Sequence, residues 1–519
     1  MDPVLKTDSI NSGTREINNS ESEENNSNGG GDIVYNEDVR KRRFLGKTSA
    51  SDVFTIICAG AALLSDGYQN NCMTMLNTVF AKEYPHVYTS GLKTRVSNAL
   101  LIGEVIGQVC VGLSCDYLGR KWAIIATTSL IVIGSILATA AHGTTTAGMF
   151  WMLTVARGIT GFGVGGEYPA SSTSASEAAN ESVKRRGGTF ILVTNLPLSL
   201  GGPFALIVFL IVYPATGLGA HLSTTWRVML GIGCIWPLAI FYFRFKMATS
   251  VLYKKSAVRK NVPYLLVFKY YWRRLLGTCG CWFIFDFITF PNGIFSGTII
   301  SSVLNDTSNL ERVAEWNLLL GMIAIPGVLV GAYLADRIGR KYTMIIGFTG
   351  YLVLGLTIGC AYKKIKKIVP LFIIFYGLFN SFGNLGPGDT LGLVSSECYA
   401  TPVRGTLYGL SAAVGKAGAA IGTQAFIPIQ NNLGKQWTFI IAAILGCIGI
   451  IIAFFCIPHL LEDDLMLEDV RFERYLRDNG WKGSFGLKEE DPEQDLEQDS
   501  QDLQEEISIT DESNNLKKD

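Results

Sequence analysis

The stretch from Arg157 to Ser172 places charged and polar residues inside an apolar segment of the chain. Arg157 and Glu167 bound a run that contains five glycines, and Tyr168 and a proline follow directly. A charge within a membrane is costly, so it usually faces a partner or a water-filled cavity. Glycines let neighbouring helices approach closely. The stretch therefore predicts the wall of a polar cavity in a helical membrane protein.

Carboxylates also lie in the first two apolar segments, at Asp66 and Glu104. A buried carboxyl group tends to take up a proton, because desolvation disfavours the charged form. Arg157 is the natural counter-charge for Asp66, and protonation of Asp66 would then release Arg157. A static salt bridge between helices is the alternative. For Glu104 the sequence leaves a proton relay and polar packing equally open.

In the seventh apolar segment, Trp282, Asp286 and Phe290 are spaced i, i+4, i+8, which places them on one helix face. We expect the following Pro291-Asn292-Gly293 to interrupt the helix, as in the discontinuous helices of transporter sites. An aromatic ring beside a carboxylate could bind a substrate and carry a proton. Core aromatics around a structural Asp are the alternative.

Polar residues also interrupt the fifth, tenth and eleventh apolar segments. Asn195 offers a neutral donor and acceptor. Gly386-Pro387-Gly388-Asp389 is expected to break its helix and adds a buried carboxylate. Lys416 lies among small residues, which favours a cation that faces an anion or pairs with an Asp. Snorkelling of Lys416 to the surface is the alternative.

The composition is that of a polytopic membrane protein. Hydrophobic residues make up 48% of the 519 positions and charged residues only 17%, against about a quarter in soluble proteins. The zero net charge averages apolar spans with charged tails, and nothing in it indicates a nucleic-acid partner. A span needs about 20 apolar residues. The twelve predicted spans are 52–81, 95–115, 122–142, 148–170, 187–213, 225–245, 274–303, 313–336, 341–362, 369–396, 405–430 and 436–458.

The two halves of the chain repeat two short motifs. Asp-x-x-Gly-Arg-Lys begins at Asp116 after the second span and again 220 positions later at Asp336. An Arg-Gly pair occurs at Arg186 and at Arg404, 218 positions apart. Parallel repeats of this kind are a transporter architecture with the site between the halves. We expect the charges of the first motif to latch helix ends in one conformational state, with a purely topological role as the alternative. The predicted gating residues are Asp116, Arg120, Asp336 and Arg340.

These features divide the chain into five regions. They are a disordered cytoplasmic N-terminal tail (1–50), an N-terminal six-helix half (51–245), a basic cytoplasmic loop (246–273), a C-terminal six-helix half (274–458) and an acidic cytoplasmic tail (459–519) that is also expected to be disordered. Four basic residues at 40–43 precede the first span and predict a cytoplasmic N-terminus. An even number of spans then places the C-terminus there too.

The tails and one loop carry candidate sites for other proteins or for modification. Trafficking or ubiquitination machinery could bind the cytoplasmic tails, although a plain solvated tail is the simpler reading. Asn305 begins a glycosylation sequon in the predicted outer loop after the seventh span. Lysines at 363, 364, 366 and 367 would also lie outside in this topology, against the positive-inside rule.

No motif in the chain indicates an enzyme. The four His residues do not lie beside a nucleophile-like Ser or Cys, and no phosphate-binding P-loop is present. The eleven Cys residues are scattered and do not have the usual metal-ligand spacing. We therefore predict no catalytic residue, metal or cofactor.

The repeated Asp-x-x-Gly-Arg-Lys motif in a six-plus-six layout resembles the major facilitator superfamily. Three stretches are similar to its phosphate:proton symporter branch: G-V-G-G-E-Y-P-A-S at 163–171, W-F-I-F-D at 282–286 and G-L-S-A-A-V-G-K-A-G-A at 409–419. S-D-G-Y, H-G-T-T, M-F-W-M-L-T-V, F-P-N-G-I-F-S and A-E-W-N-L-L-L-G resemble the fungal glycerophosphoinositol and glycerophosphodiester permeases. This resemblance covers roughly residues 50–485 and leaves out both tails.

The resemblance implies an all-α membrane protein of twelve transmembrane helices in two six-helix halves. It also implies uptake of glycerophosphodiesters across the plasma membrane, driven by a proton gradient. The substrate-binding residues implied are Tyr168, Asn195, Trp282, Asp286 and Lys416. The residues implied in proton coupling are Asp66, Arg157, Glu167 and Asp286.

Three positions depart from the phosphate-carrier pattern. Glu167 stands where Asp is usual, Phe290 where Tyr is usual, and Gly388 where Asn is usual. The last two changes remove polar groups from the anion site, and we expect them to leave room for a larger headgroup. The substrates that the resemblance implies are glycerophosphoinositol or glycerophosphocholine. The alternatives are an inorganic phosphate:proton symporter and a non-transporting nutrient sensor of the same fold.

Overall fold

The structure, a computed structural model, describes residues 60, 63–118, 120–182, 186–245, 262–304, 309–460 and 465–481. Within these ranges the chain is helical and contains no strand. Helical residues 63–71 lead into α1 through a single turn residue. The first seven numbered helices are α1 (Met73–Glu83), α2 (Ser90–Leu118), α3 (Arg120–Thr139), α4 (Thr146–Ser182), α5 (Arg186–Ala215), α6 (Leu222–Ile232) and α7 (Ile235–Phe245).

The second half of the chain repeats this pattern. Its helices are α8 (Tyr264–Ile294), α9 (Ser296–Leu304), α10 (Leu310–Arg337), α11 (Arg340–Ile365), α12 (Val369–Gly383), α13 (Asp389–Glu397), α14 (Arg404–Asn432), α15 (Gln436–Cys456) and α16 (Leu465–Asp478). A π-helical turn, Asn384–Gly388, joins α12 to α13, and a short 3₁₀ turn, Thr401–Val403, precedes α14.

Most of these helices are long and apolar enough to cross a membrane. Eight spans pass that test within the described ranges, and α8 with α9 makes a ninth span that is bent by 50°. The remaining three predicted spans, the first, fourth and eleventh, correspond to residues 63–83, α4 and α14. Of these, α4 has 37 residues and α14 has 29. Their glycines and charged residues lower their hydropathy. The architecture agrees with the predicted twelve-helix fold.

The outward faces of the helices are apolar. On α15, for example, Ile444, Ile451, Phe454 and Phe455 are all exposed. In water such a surface would be an aggregation liability, whereas in a bilayer the lipid chains cover it. The polar and charged residues instead concentrate inside the bundle, where they can only interact with each other, with water or with a ligand.

Helices from the two halves pack against each other along two lines. α14 packs along α2, and α10 packs along α5. Within the first half, α4 packs tightly on α2 because small residues line the contact. A Cβ atom built on Gly161 would collide with the backbone of Leu100, and one built on Gly165 with the backbone of Glu104. The glycines predicted to permit close helix approach do so here.

The interruption of the seventh span comes later than the sequence indicated. The helix continues through Pro291 to Ile294 and bends only at Phe295, whose N–H donates to the Pro291 carbonyl at 3.0 Å. A proline removes the hydrogen bond of its own N–H and crowds the preceding turn. It leaves its own carbonyl available, so the helix can persist for another turn.

The predicted break of the tenth span is also milder than expected. Gly386-Pro387-Gly388 lies within the π-helical turn between α12 and α13, and the backbone stays helical at Gly388 and Asp389. A π-turn accommodates the missing proline N–H by widening the helix locally, and such turns are frequent at functional sites. The span is therefore deformed but continuous.

The expectation that all residues after 458 are disordered was wrong for 465–478, which form α16. Its Phe472 and Leu476 are spaced i, i+4 and each is only 1% exposed. The Phe472 ring packs beside Tyr270 and Tyr271 of α8. An apolar face at helical spacing can order a segment of otherwise polar composition. The boundaries of the five regions stay a prediction, and 1–59, 246–261 and 482–519 lie outside the described residues.

Candidate functional site

A first polar site lies where the end of α2 meets the start of α14. The Asp116 carboxylate accepts hydrogen bonds from the backbone N–H groups of Gly405 and Thr406, at 3.1 and 2.6 Å, and from the Thr406 hydroxyl at 2.7 Å. The N-terminus of a helix presents unpaired N–H groups and a positive dipole end, which favour an anion. Asp116 therefore ties the first half of the protein to the second.

The second copy of the motif makes the equivalent contact, from the second half of the chain to the first. Asp336, at the end of α10, accepts from the N–H of Gly188 at 2.9 Å, at the start of α5. Each motif Asp thus reaches the Arg-Gly pair of the opposite half. Arg340 is 3.9 Å from Asp336 and donates to Glu397 through Nε and Nη2 at 3.0 and 3.1 Å.

Glu397 also belongs to this site, although it lies outside both repeated motifs. A signal for it exists in the sequence, because Ser-Glu occurs at both Glu177 and Glu397, again 220 positions apart. The side chains of Glu177 and of the predicted gating residue Arg120 lie outside the described part of the structure.

A second polar site is buried between the halves, around Lys416 of α14. Its Nζ lies 3.1 Å from Oε2 of Glu104 on α2. The same ammonium is 3.7 Å from the ring centroid of Phe290 on α8 and 5.1 Å from that of Tyr168 on α4. Lys416 is 1% exposed, so it does not snorkel. Its partner is a Glu rather than an Asp, and for that Glu the sequence left a proton relay and polar packing open.

Trp282 and Asp286 lie one turn apart on α8, as the spacing predicted. The indole Nε1 donates to the hydroxyl of Ser395 at 3.1 Å. Asp286 is fully buried, and neither carboxylate oxygen accepts a hydrogen bond from the described residues. Gly415 allows α14 to approach, since a Cβ atom there would be 3.0 Å from Asp286 Oδ2. In its protonated form, this carboxyl could donate to an anion.

Asn195 lies at the contact between α5 and α13. Its amide donates to Asp389 Oδ1 at 2.5 Å, and both residues are buried. The expectation that Gly388 leaves space for a headgroup was wrong for this conformation. A Cβ atom on Gly388 would lie 3.0 Å from the Gly383 carbonyl and 3.3 Å from the Phe285 ring, because the π-turn presses against α8.

The predicted pair between Asp66 and Arg157 does not form. Neither oxygen of Asp66 accepts a hydrogen bond within the described ranges, and Arg157 donates to the Cys72 sulfur at 3.7 Å. Cys72 is six residues beyond Asp66, which is nearly two helical turns, or about 9 Å along the axis. Arg157 thus lies at a different depth from Asp66.

The counter-charge of Glu167 is Arg244 at the end of α7. Arg244 donates to both Glu167 oxygens, through Nη2 at 3.2 Å, and also to the hydroxyl of Thr128. Arg244 is 2% exposed. Arg244 lies at the end of the sixth predicted span and was selected for no role from the sequence, although a charge at the end of an apolar run was a signal for a buried one. Asn305, the glycosylation candidate, lies outside the described residues.

Lys416, Glu104, Tyr168 and Asp286 are buried and Phe290 is partly buried, so this conformation is closed around the second site. A cation between two aromatic rings can hold an anion, and a carboxyl without a hydrogen-bond donor can gain or lose a proton. Such an arrangement suits the joint binding of an anion and a proton between two halves that move relative to each other.

Comparison with known proteins identifies the family. Residues 53–472 match the family model described as sugar (and other) transporter. The chain is 60% identical over 470 residues to glycerophosphoinositol permease 1 of Candida albicans, covering 90% of each chain. It is 56% identical over 466 residues to glycerophosphoinositol transporter 1 of Saccharomyces cerevisiae, covering 89% of this chain and 90% of that one.

A solved structure supports the architecture. The major facilitator superfamily proton:xylose symporter XylE matches with a TM-score of 0.72 and 15% identity, over 82% of this chain and 100% of that one. At this identity the match shows the fold, and it agrees with the two packed halves described above. The chain therefore belongs to the sugar (and other) transporter family of the major facilitator superfamily, in the group that includes these two fungal proteins.

Proposed function

We propose that this protein is a proton-coupled symporter that takes up glycerophosphodiesters across the plasma membrane, with glycerophosphoinositol as the main substrate. The observation that carries the proposal is the buried Lys416, held between two aromatic rings at the interface of the halves. A phosphodiester is a monoanion near neutral pH, and a buried cation is its natural partner. The names of the two similar fungal proteins support this choice of substrate.

Five residues form the proposed substrate site. Lys416 attracts the phosphate as a compact point charge with three donors. Trp282 and Tyr168 supply aromatic surface for the glycerol and the headgroup. Asn195 supplies an amide donor or acceptor, and its present partner Asp389 comes from the opposite half. Asp286, one turn after Trp282, completes the site.

Proton coupling is assigned to the carboxyl groups of this region. An ionised Asp286 would repel a bound phosphate, whereas a protonated Asp286 could donate a hydrogen bond to it. Asp66 also lacks a hydrogen-bond partner in the described chain and can change its protonation without breaking a contact. The ion pair of Glu167 with Arg244 and the guanidinium of Arg157 are the other charges of this region. Their electrostatic interactions change when Asp66 or Asp286 gains or loses a proton.

Gating is assigned to the contacts of Asp116, Arg120, Asp336 and Arg340. In alternating access the two halves rock about a central site, and contacts at one end must break for that end to open. The end that carries Asp116 and Asp336 is closed here. We assign this end and both chain termini to the cytoplasm, so that its opening releases substrate into the cell.

The test is uptake of labelled glycerophosphoinositol in cells that have no other carrier for it. Lys416→Met should abolish uptake, whereas Lys364→Met, the same change at an exposed lysine of α11, should not. Unlabelled glycerophosphocholine should compete more weakly than glycerophosphoinositol, and inorganic phosphate least. Uphill accumulation of phosphate alone would favour a phosphate symporter, and no accumulation of any of the three would favour a sensor.

A further inference from the structure

The ion pair between Lys416 and Glu104 joins the two halves inside the bundle. Both side chains are buried, and the closest nitrogen–oxygen distance is 3.1 Å. Neither oxygen of Glu104 accepts a hydrogen bond of good geometry from the described chain. The ammonium of Lys416 is therefore the main partner of this carboxylate, and an anion that binds Lys416 competes directly with Glu104.

Several groups on the surrounding helices lie close enough to Glu104 to interact with it electrostatically. The charged and titratable ones are Lys416 of α14, Arg157 and Tyr168 of α4, Asp66 of the segment 63–71 and Asp286 of α8. The amide of Asn70 also lies within reach of the Glu104 carboxylate. The side-chain oxygen Oδ1 of Asn70 accepts no hydrogen bond from the described residues, so it can accept one from a protonated Glu104.

A count of charges shows what substrate binding requires. Lys416 and ionised Glu104 together are neutral. A phosphodiester that binds Lys416 adds one negative charge, and burial of an uncompensated charge is expensive. Neutralisation of Glu104 by one proton removes that cost. The rings of Phe290 and Tyr168 can hold the ammonium in place while its anion changes.

We propose that Glu104 is an internal counter-ion that the substrate displaces from Lys416, and that Glu104 takes up a proton as it is displaced. The inference rests on the proposed function and adds a coupling residue to it. The phosphodiester oxygen replaces the carboxylate oxygen at Lys416, and one proton from the aqueous side neutralises Glu104. On release, Glu104 loses this proton to the other side and pairs with Lys416 again.

The test is equilibrium binding of labelled glycerophosphoinositol to the purified full-length chain in lipid nanodiscs. At alkaline pH, ionised Glu104 competes with the substrate, so Glu104→Gln should bind it more tightly than the wild type does. Once Glu104 is ionised in the wild type, the ratio of the wild-type to the Glu104→Gln dissociation constant should rise roughly tenfold for each further pH unit. At acidic pH, where Glu104 is protonated, the two dissociation constants should be equal. The wild type should also take up one more proton per bound substrate than Glu104→Gln.

Glu315→Gln is the matched control, because it makes the same change at an exposed position of α10 and should leave binding and proton uptake unaltered. If Glu104 only orients Lys416, Glu104→Gln will bind more weakly at every pH, and that result overturns the proposal. Equal proton uptake by Glu104→Gln and wild type would overturn it as well.

Should Glu104→Gln fail to fold, Glu104→Asp supplies the test. Its shorter side chain weakens the ion pair and keeps a titratable group, so binding should tighten at alkaline pH while proton uptake persists. Unchanged affinity contradicts the proposal. Failure of the wild-type chain to bind glycerophosphoinositol would instead refute the proposed function.

Discussion

Replacement of Asp116 by Asn should destabilise the closed state at the end of the bundle where α2 meets α14. Asp116 accepts three hydrogen bonds from Gly405 and Thr406, and the two backbone N–H groups bond to different carboxylate oxygens. Asn keeps one acceptor oxygen, places an N–H₂ donor against the other N–H group, and has no charge to complement the helix N-terminus.

The size of the effect follows from these bonds. A hydrogen bond to a charged group contributes about 1.5–3 kcal/mol net. Loss of one such bond, with weakening of the others, should shift the equilibrium by about 2 kcal/mol, or roughly 30-fold toward opening. Asp336→Asn is the internal comparison. In the described chain the Asp336 carboxylate accepts one backbone hydrogen bond, from Gly188. Its replacement should therefore shift the equilibrium less than Asp116→Asn does.

Cys115 is a native reporter for this opening. It is 0% exposed and lies against Gly405 at the contact of α2 with α14. In a background with every other cysteine replaced by serine, a membrane-permeant maleimide should modify Cys115 roughly 30-fold faster in Asp116→Asn, if modification requires opening. Asp336→Asn should accelerate modification less. Equal rates in wild type and Asp116→Asn would show that these hydrogen bonds do not hold the halves together.

Four further outcomes are expected. Glu167→Gln leaves Arg244 buried without its counter-charge, which costs about 3–5 kcal/mol, so the purified variant should unfold at a lower temperature. A variant as stable as wild type would contradict the burial of that pair. Asp66→Asn has no carboxylate hydrogen bond to lose, so its surface level should be normal while pH-dependent accumulation falls. Wild-type pH dependence would remove Asp66 from coupling. Phe290→Tyr keeps the ring beneath the ammonium and adds a hydroxyl, and the ratio of phosphate to glycerophosphoinositol uptake should rise. No change in that ratio in well-expressed protein argues against our account of specificity. Asn305→Gln should eliminate any glycosidase-sensitive shift, and a shift that survives it would place the outer loops elsewhere.

Local patterns in the chain were sufficient to predict the spans and to single out the two copies of the Asp-x-x-Gly-Arg-Lys motif. The length of an apolar run is set by the thickness of the bilayer, so the number of spans could be counted. The repeat of Asp-x-x-Gly-Arg-Lys marked Asp116 and Asp336 as equivalent. The sequence did not show that each Asp would meet the Arg-Gly pair of the other half, because a repeat says nothing about how its two copies dock.

The charge pairs inside the bundle were mostly beyond sequence reasoning. Asp66 was matched with Arg157 on opposite charge alone, yet Arg157 lies at the level of Cys72. Arg244 was not among the predicted site residues, yet it is the partner of Glu167. A pair forms only when two side chains share a depth and face each other, and an error of one helical turn, about 5.4 Å, is enough to separate them.

By itself, the sequence determined that this chain is a membrane protein of paired helical halves with ionisable groups in its interior. The length of an apolar run and the charges within it are local properties that can be read directly from the sequence. Only the tertiary structure decided that Lys416 meets Glu104, that Gly388 packs against Phe285, and that α16 docks on α8. Those contacts join residues that are distant in the chain. They depend on the rotation and depth of each helix, which the packing of all the helices settles together.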